Sequence, residues 1–239
     1  MTRRRFIADE VSGKRAALVG EHADHLVRVL RARVGQEFDI ATGGLVYRGR
    51  ITSVSAGRVE FDLVEEIPRS TLPDITLVLA IFKFDRMEWV IEKCTELGVS
   101  RIVPLIARRT NAHLAAASAK RVERWQRIAR QAAEQSRRAV PPEVSAPIKL
   151  AEALNPQATL QIVLAESGER TLLRDVVKPE AVAGGAVLAV GPEGGWTEEE
   201  LRSFQQAGWI SVSLGNTILR AETAAIAATA VVASALHAL

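Results

Sequence analysis

The spacing of hydrophobic and polar positions along this 239-residue chain changes once, near Pro68. Upstream, Val59, Phe61 and Leu63 alternate with Glu60 and Asp62, the period of a half-buried antiparallel strand, and 37–67 carries repeated turn residues between short apolar stretches. These predict a small β-barrel. Residues 21–33 predict a short helix packed on it, with Leu26, Val29 and Leu30 inward and Arg28 and Arg31 outward. Residues 67–74, with Pro68 and Pro73, read as a linker between domains at 1–70 and 74–239.

Downstream the pattern alternates strand with helix. Residues 75–82 are almost continuously apolar, as expected of a strand covered on both faces in a parallel sheet. A helix is predicted over 87–97, ended by Gly98, and further strands over 102–106, 160–165, 187–190 and 210–214. Thr197 and Glu200 form a capping-box pair that opens a helix closed by Gly208. Such alternation predicts an α/β domain of doubly wound type.

Composition narrows the class. With 48% apolar residues the chain has ample core material, and the single Cys94 excludes an internal disulfide framework. Residues 1–13 are charged from Arg3 onward and hold no apolar run for secretion, so a cytoplasmic protein is expected. The long uncharged run 223–239 is alanine-rich and falls short of the roughly 20 strongly apolar residues of a bilayer span. It reads as a buried helix, with no membrane partner.

Net charge is only +3, but its distribution is uneven. Residues 120–138 hold seven basic residues (Lys120, Arg121, Arg124, Arg127, Arg130, Arg137, Arg138) against Glu123 and Glu134. There Trp125, Ile128, Ala129, Ala132, Ala133 and Ser136 recur at helical spacing, giving one core face and one arginine face. Such a stripe is either an ordinary solvated face or a surface for a phosphate backbone. A second concentration, Arg3 to Arg5 with Arg28, Arg31 and Arg33, favours a polyanionic substrate. His22, His25 and His113 lack metal-ligand spacing, and no metal is expected.

The candidate chemistry lies near the C-terminus. Gly191-Pro192-Glu193-Gly194-Gly195 and Leu214-Gly215 each follow a short apolar strand, where open α/β sheets place ligands. Gly191 to Gly195 is neither a dinucleotide fingerprint nor a phosphate loop, which disfavours a nucleotide triphosphate. Glycine turns can instead bring bare backbone close to an adenine edge or a ribose.

Three ordered motifs carry a resemblance over nearly the whole chain: Lys83-Phe84-Asp85-Arg86-Met87-Glu88 through Glu92-Lys93-Cys94-Thr95-Glu96-Leu97-Gly98-Val99; Val190 to Gly195; and Leu214-Gly215 through Leu219-Arg220-Ala221-Glu222-Thr223-Ala224. Together with Arg108-Arg109-Thr110, the stretch from Gln131 to Arg138, and His25 to Arg31, they resemble the RsmE family. These are SPOUT-class methyltransferases acting on uridine N3 in 16S ribosomal RNA. The resemblance implies a PUA-like barrel, an α/β domain tied in a deep trefoil knot, S-adenosylmethionine as methyl donor, a homodimer, and uridine 1498 of the small subunit as target. The uncharged 223–239 helix also suits a dimer, burial inside a monomer being the alternative.

Carried over by motif, the donor contacts are Leu164, Ala165 and Glu166; Gly191, Pro192, Glu193, Gly194 and Gly195; and Leu214, Gly215, Ile218, Leu219, Arg220 and Thr223. Asn216-Thr217 stands where the family usually has Pro-Arg, and Ala221 where it usually has threonine. Arg220 is the candidate for stabilising charge on the uracil, and Glu222 or Glu193 the candidate proton acceptor, structural pairing being the alternative for both acids. RNA candidates are Arg4, Arg5, Arg28, Arg31, Lys83, Arg86, Arg108, Arg109, Arg137 and Arg138. An RNA-binding module without catalysis and a nucleotide-binding metabolic enzyme stay open as alternatives, the arginine clusters disfavouring the second.

Overall fold

The computed structural model describes residues 4–68, 74–156, 158–165, 171–182 and 184–236. They form two compact units, one of 4–68 with 130–141 and the other of 74–129 with 142–236. Residues 130–141 thus join the first unit, although they lie beyond the expected 1–70 boundary.

In the first unit β1 (Arg5–Ile7), β2 (Glu10–Ser12), β3 (Arg15–Val19), β4 (Glu37–Thr42), β5 (Leu45–Ser55) and β6 (Arg58–Glu66) are ordered β1-β4-β5-β6-β3-β2. Only Ala8 and Asp9 separate β1 from β2. The Ala8 amide donates to the Ala41 carbonyl at 2.9 Å and the Asp9 amide to the Ala17 carbonyl at 3.0 Å. One continuous segment therefore bonds to both β4 and β3 and curls the sheet toward a barrel. Phe6, Leu18, Ile40, Ile51, Val59 and Phe61 fill the interior. Val59 and Phe61 are buried and Asp62 is exposed, as the alternation requires.

The helix expected over 21–33 differs. It is α1 (Glu21–Asp24) followed by a π-helical turn over His25–Val29, in which the Leu30 amide donates to the His25 carbonyl at 3.4 Å. The wider turn shifts the phase of the following side chains. Leu26 is still fully buried, but Val29 is 63% exposed rather than inward.

Segment 130–141 is tied to the barrel by a polar network. Arg130 Nη2 donates to the Ile7 carbonyl at 2.6 Å and to Asp9 Oδ1 at 2.7 Å, while the Ile7 amide donates to Glu134 Oε1 at 2.9 Å. Asp9 also accepts the Val19 amide at 2.9 Å and lies 3.1 Å from His22 Nδ1. Arg5 donates to the Arg137 carbonyl.

The second unit is a parallel sheet flanked by helices. Its strands are β7 (Ile75–Ala80), β8 (Arg101–Ile106), β9 (Glu143–Val144), β10 (Ile148–Lys149), β11 (Leu160–Leu164), β12 (Ala186–Val190) and β13 (Ile210–Val212). The order is β10-β8-β7-β12-β11-β13, with β9 paired to β8. Its helices include α2 (Phe84–Glu96), α3 (Ala112–Ser118), the start of α4 (Val122–Gln135), α5 (Leu150–Ala153), α6 (Leu173–Val176), α7 (Pro179–Val182), α8 (Glu198–Gln206) and α9 (Ala221–Leu236).

Alternate residues of the central strands enter two cores. Ile75, Leu77 and Leu79 face Met87 and Ile91 of α2 and Ala225, Ala228 and Val232 of α9. Val78 and Ala80 face Trp196, Phe204 and Trp209. Both faces are covered, which is why β7 reads as a continuous apolar run. Gly98, at φ 102°, turns the chain out of α2 in a conformation glycine adopts without strain. Cys94 lies between α2 and α9, and burial pushes its thiol up to about 12, so it is a packing residue. No helix among the described residues is long and apolar enough to cross a membrane.

The basic face of α4 is largely engaged. Arg124 grips the Glu88 carboxylate through two bonds of 2.6 and 2.7 Å, and the Arg121 guanidinium lies 4.8 Å from the centre of the Phe84 ring. Arg138 is 6% exposed, and burial pushes its guanidinium down to about 10, still charged at neutral pH. Lys120, Arg127 and Arg137 remain exposed.

Candidate functional site

The carboxyl ends of three neighbouring strands build the site. β12 runs from Val190 into Gly191, β11 ends at Leu164-Ala165, and β13 runs into Ser213 and Leu214. Because β11 lies between β12 and β13, their three turns are adjacent and enclose a cavity of about 200 Å³. Leu164 and Ala165 form one wall, Val190 to Pro192 with Gly194 to Trp196 a second, and Val212 to Leu214 with Thr217 to Leu219 a third. Arg109, Leu201, Ala221 and Ala224 complete it.

Side chains lock these turns together. Trp196 Nε1 donates to the Leu164 carbonyl at 3.0 Å, joining the first two walls. A Cβ on Gly191 would stand 3.1 Å from that indole nitrogen, so glycine is what lets the ring lie against the turn. Arg109 Nη1 donates to the Gly194 carbonyl at 2.7 Å and the Trp196 carbonyl at 3.3 Å. Ser213 Oγ donates to the Gly215 carbonyl at 3.0 Å, and Gly215 takes φ 137°, a value that favours glycine. Glu200, 3% exposed, accepts the Thr197 amide and hydroxyl and the Arg108 amide, so the expected capping box also anchors the 108–110 loop.

Of the donor residues carried over by motif, Leu164, Ala165, Gly191, Pro192, Gly194, Gly195, Leu214, Ile218 and Leu219 line the cavity. Glu166 lies outside the described residues. Glu193, Gly215, Arg220 and Thr223 stand beside the lining residues: Arg220 is exposed at the start of α9, its carbonyl accepting the Ala224 amide at 2.8 Å. Trp196 and Ser213 line the cavity without having been singled out, although an aromatic directly after a glycine turn was a usable signal for the first. Thr217 and Ala221, two of the departures from the usual motif, also face it.

The RNA candidates separate by environment. Arg4, Arg31, Lys83 and Arg137 are exposed; Arg28 is exposed with only a loose contact to Asp24 at 3.7 Å, and Arg108 is similarly placed near Glu199 at 3.8 Å. Arg5 pairs with Asp39 at 3.6 Å, Arg109 braces the glycine turn, Arg138 is buried, and Arg86 bridges Glu193 at 2.7 Å and Glu222 at 3.6 Å. His22 is engaged with Asp9. Among the described residues no three His, Cys, Asp or Glu side chains are grouped to hold a metal ion.

A parallel α/β unit with glycine turns enclosing a cavity at its strand ends has the form of a ligand-binding enzyme of the open α/β class. Residues 69–233 match the RNA methyltransferase domain and 20–64 the RNA methyltransferase PUA domain. The Ribosomal RNA small subunit methyltransferase E of Synechocystis sp. is 37% identical over 84% of this chain and 66% of that protein; that of Aquifex aeolicus is 31% identical over 92% and 95%. The same enzyme of Neisseria gonorrhoeae, solved bound to S-adenosyl methionine, is 35% identical with a TM-score of 0.83 over 96% of both chains. A Legionella pneumophila methyltransferase solved with the same cofactor is 30% identical with a TM-score of 0.86 over 98% of both chains. The chain belongs to the ribosomal RNA small subunit methyltransferase E family.

Proposed function

We propose that this protein binds S-adenosylmethionine in the cavity between its three turns and methylates N3 of uridine 1498 in 16S ribosomal RNA, within the small subunit and in the cytoplasm. The observation that carries the reading is the convergence of the Leu164, Gly191 and Leu214 turns on one cavity, in a family with relatives solved holding this donor. The residues fit the group: apolar side chains for the adenine and, at Gly191, Gly194 and Gly195, bare backbone along the cavity wall. Bound there, S-adenosylmethionine supplies an electrophilic methyl group that leaves its sulfonium as a neutral thioether.

The chain's own residues have two tasks. The uracil imide must lose the N3 proton, for which Glu222 is the proposed acceptor, and the negative charge on the base is met by Arg220. N3 lies on the pairing edge, so the uridine must be unpaired or turned out. Exposed Arg4, Arg28, Arg31, Lys83, Arg108 and Arg137 are the proposed phosphate contacts. A homodimer is also proposed: α9 buries Ala225, Ala228 and Val232, and its other side leaves apolar Ala224, Ala227, Ala230 and Val231 partly exposed. The deep trefoil knot belongs to the same proposal, supported by α9 returning to α2, β7 and β12 after edge strand β13.

The test is transfer of labelled methyl to unmodified small subunits and to naked 16S RNA, with the product nucleoside identified by mass spectrometry. N3-methyluridine is the expected product. Donor binding without transfer would point to another RNA, and absence of donor binding to an RNA-binding module. Arg220→Ala should lower turnover with donor binding intact; unchanged turnover would remove the arginine's role.

A further inference from the structure

Two carboxylates from separate turns meet at one guanidinium. Arg86, in the first turn of α2, holds Glu193 Oε1 at 2.7 Å and stands 3.6 Å from Glu222 Oε1 through the same nitrogen, Nη1. Glu193 lies between Pro192 and Gly194, both cavity-lining; Glu222 follows Ala221, the cavity-lining first residue of α9. Each acid is thus one residue from the donor cavity.

The three side chains are unequally exposed: 41% for Glu193, 28% for Arg86 and 6% for Glu222. The short Arg86–Glu193 contact is a charge-assisted hydrogen bond, whereas 3.6 Å is a charge contact only. Glu222 Oε2 is buried with no hydrogen-bond partner among the described residues. A carboxylate taken out of water requires compensation, and Arg86 is the cation the structure sets against it. One oxygen faces the cation; the other is enclosed without a hydrogen bond among the described residues, so the carboxylate must turn toward the cavity to meet an imide N–H.

We propose that Arg86, held in place by Glu193, is a positioning residue that fixes Glu222 for proton transfer and links it to the glycine turn of the donor cavity. The proposal rests on the reading of Glu222 as the proton acceptor. It gives Glu193 a part in turnover without contact to the base, and it sets Arg86 apart from the phosphate-binding arginines.

The experiment measures kcat, subunit KM and donor Kd for full-length Arg86→Gln, Arg86→Lys, Glu193→Gln, Glu222→Gln and Arg86→Gln/Glu222→Gln. Arg86→Gln is expected to lower kcat about 100-fold, the scale of a misplaced catalytic group, with donor Kd and the salt dependence of subunit binding unchanged. Arg86→Lys should restore part of the rate, Glu193→Gln should fall between, and the double variant should be no slower than Glu222→Gln, because the residues act as a unit. Rate losses that multiply in the double variant, a donor Kd that weakens in step with kcat, or an effect confined to the salt slope each overturn the positioning role. The underlying reading fails separately, if Glu222→Gln turns over normally; if Glu222→Gln is inactive and Arg86→Gln is not, only the positioning role is lost.

Discussion

The indole nitrogen of Trp196 donates to the carbonyl of Leu164 at 3.0 Å, fastening the turn after β12 to the end of β11. The ring also packs edge-on against Phe204, centroids 5.0 Å apart, so the cavity wall is continuous with the core beneath α8. Trp196→Phe keeps most of the packing but leaves the carbonyl without its donor, a loss of about 1 kcal/mol. Thermal unfolding should show a small decrease in stability and calorimetry a several-fold weaker donor; undiminished affinity would mean the bond does not shape the cavity.

Two glycines should give opposite signatures. Gly191→Ala places a Cβ 3.1 Å from the Trp196 nitrogen, so donor affinity should fall about tenfold for a wall displacement worth about 1.4 kcal/mol. Gly49→Ala places a Cβ 2.4 Å from Ile40 Cγ1 inside the barrel, an overpacking cost of about 1–3 kcal/mol. The second variant should lower the unfolding midpoint while leaving donor affinity alone, a separation that titration of both variants would check.

Arg28 and Arg109 should also part company. Arg28, with its side chain 78% exposed, should contribute about one unit to the slope of log K against log salt if it meets a phosphate. Arg109 is committed to the Gly194 and Trp196 carbonyls, so Arg109→Ala should weaken the donor and leave the slope unchanged. RNA binding measured across a salt series, beside donor titration, distinguishes the two.

The barrel network makes stability depend on pH. The hydrogen bond to Asp9 raises His22 above its ordinary 6.5, so its stabilising contribution is fully present below 6.5 and is lost as pH rises through the raised value. Asp9 moves the other way: burial pushes its carboxyl up, but the bonds from His22 and the Val19 amide and the charge of Arg130 together hold it below 3.8, so its contribution disappears only in stronger acid. Glu134 is raised by burial. His22→Gln should therefore flatten the fall in unfolding free energy above pH 6.5; a curve unchanged from the parent would show that the Asp9 contact carries no proton linkage.

Most elements were legible because they follow from local pattern. The β6 alternation, the unbroken β7 run, the Thr197–Glu200 box and the glycine turns each reside in a few consecutive residues, and the turns led directly to most of the cavity lining. The π turn after α1 was missed because apolar spacing alone does not distinguish it from an α-helical turn.

Pattern by itself determined which segments are strands, which are helices and where the cavity-lining turns lie, since period and backbone preference are properties of neighbouring residues. Tertiary structure alone decided what the charges do. Arg86 finds Glu193 107 positions away, Arg109 reaches Gly194 across 85, and Arg130 reaches Asp9 across 121, turning two RNA candidates and one arginine of the basic 120–138 stretch into internal braces. Charge partnership depends on which distant segments the sheet order brings together, and no local period encodes that order.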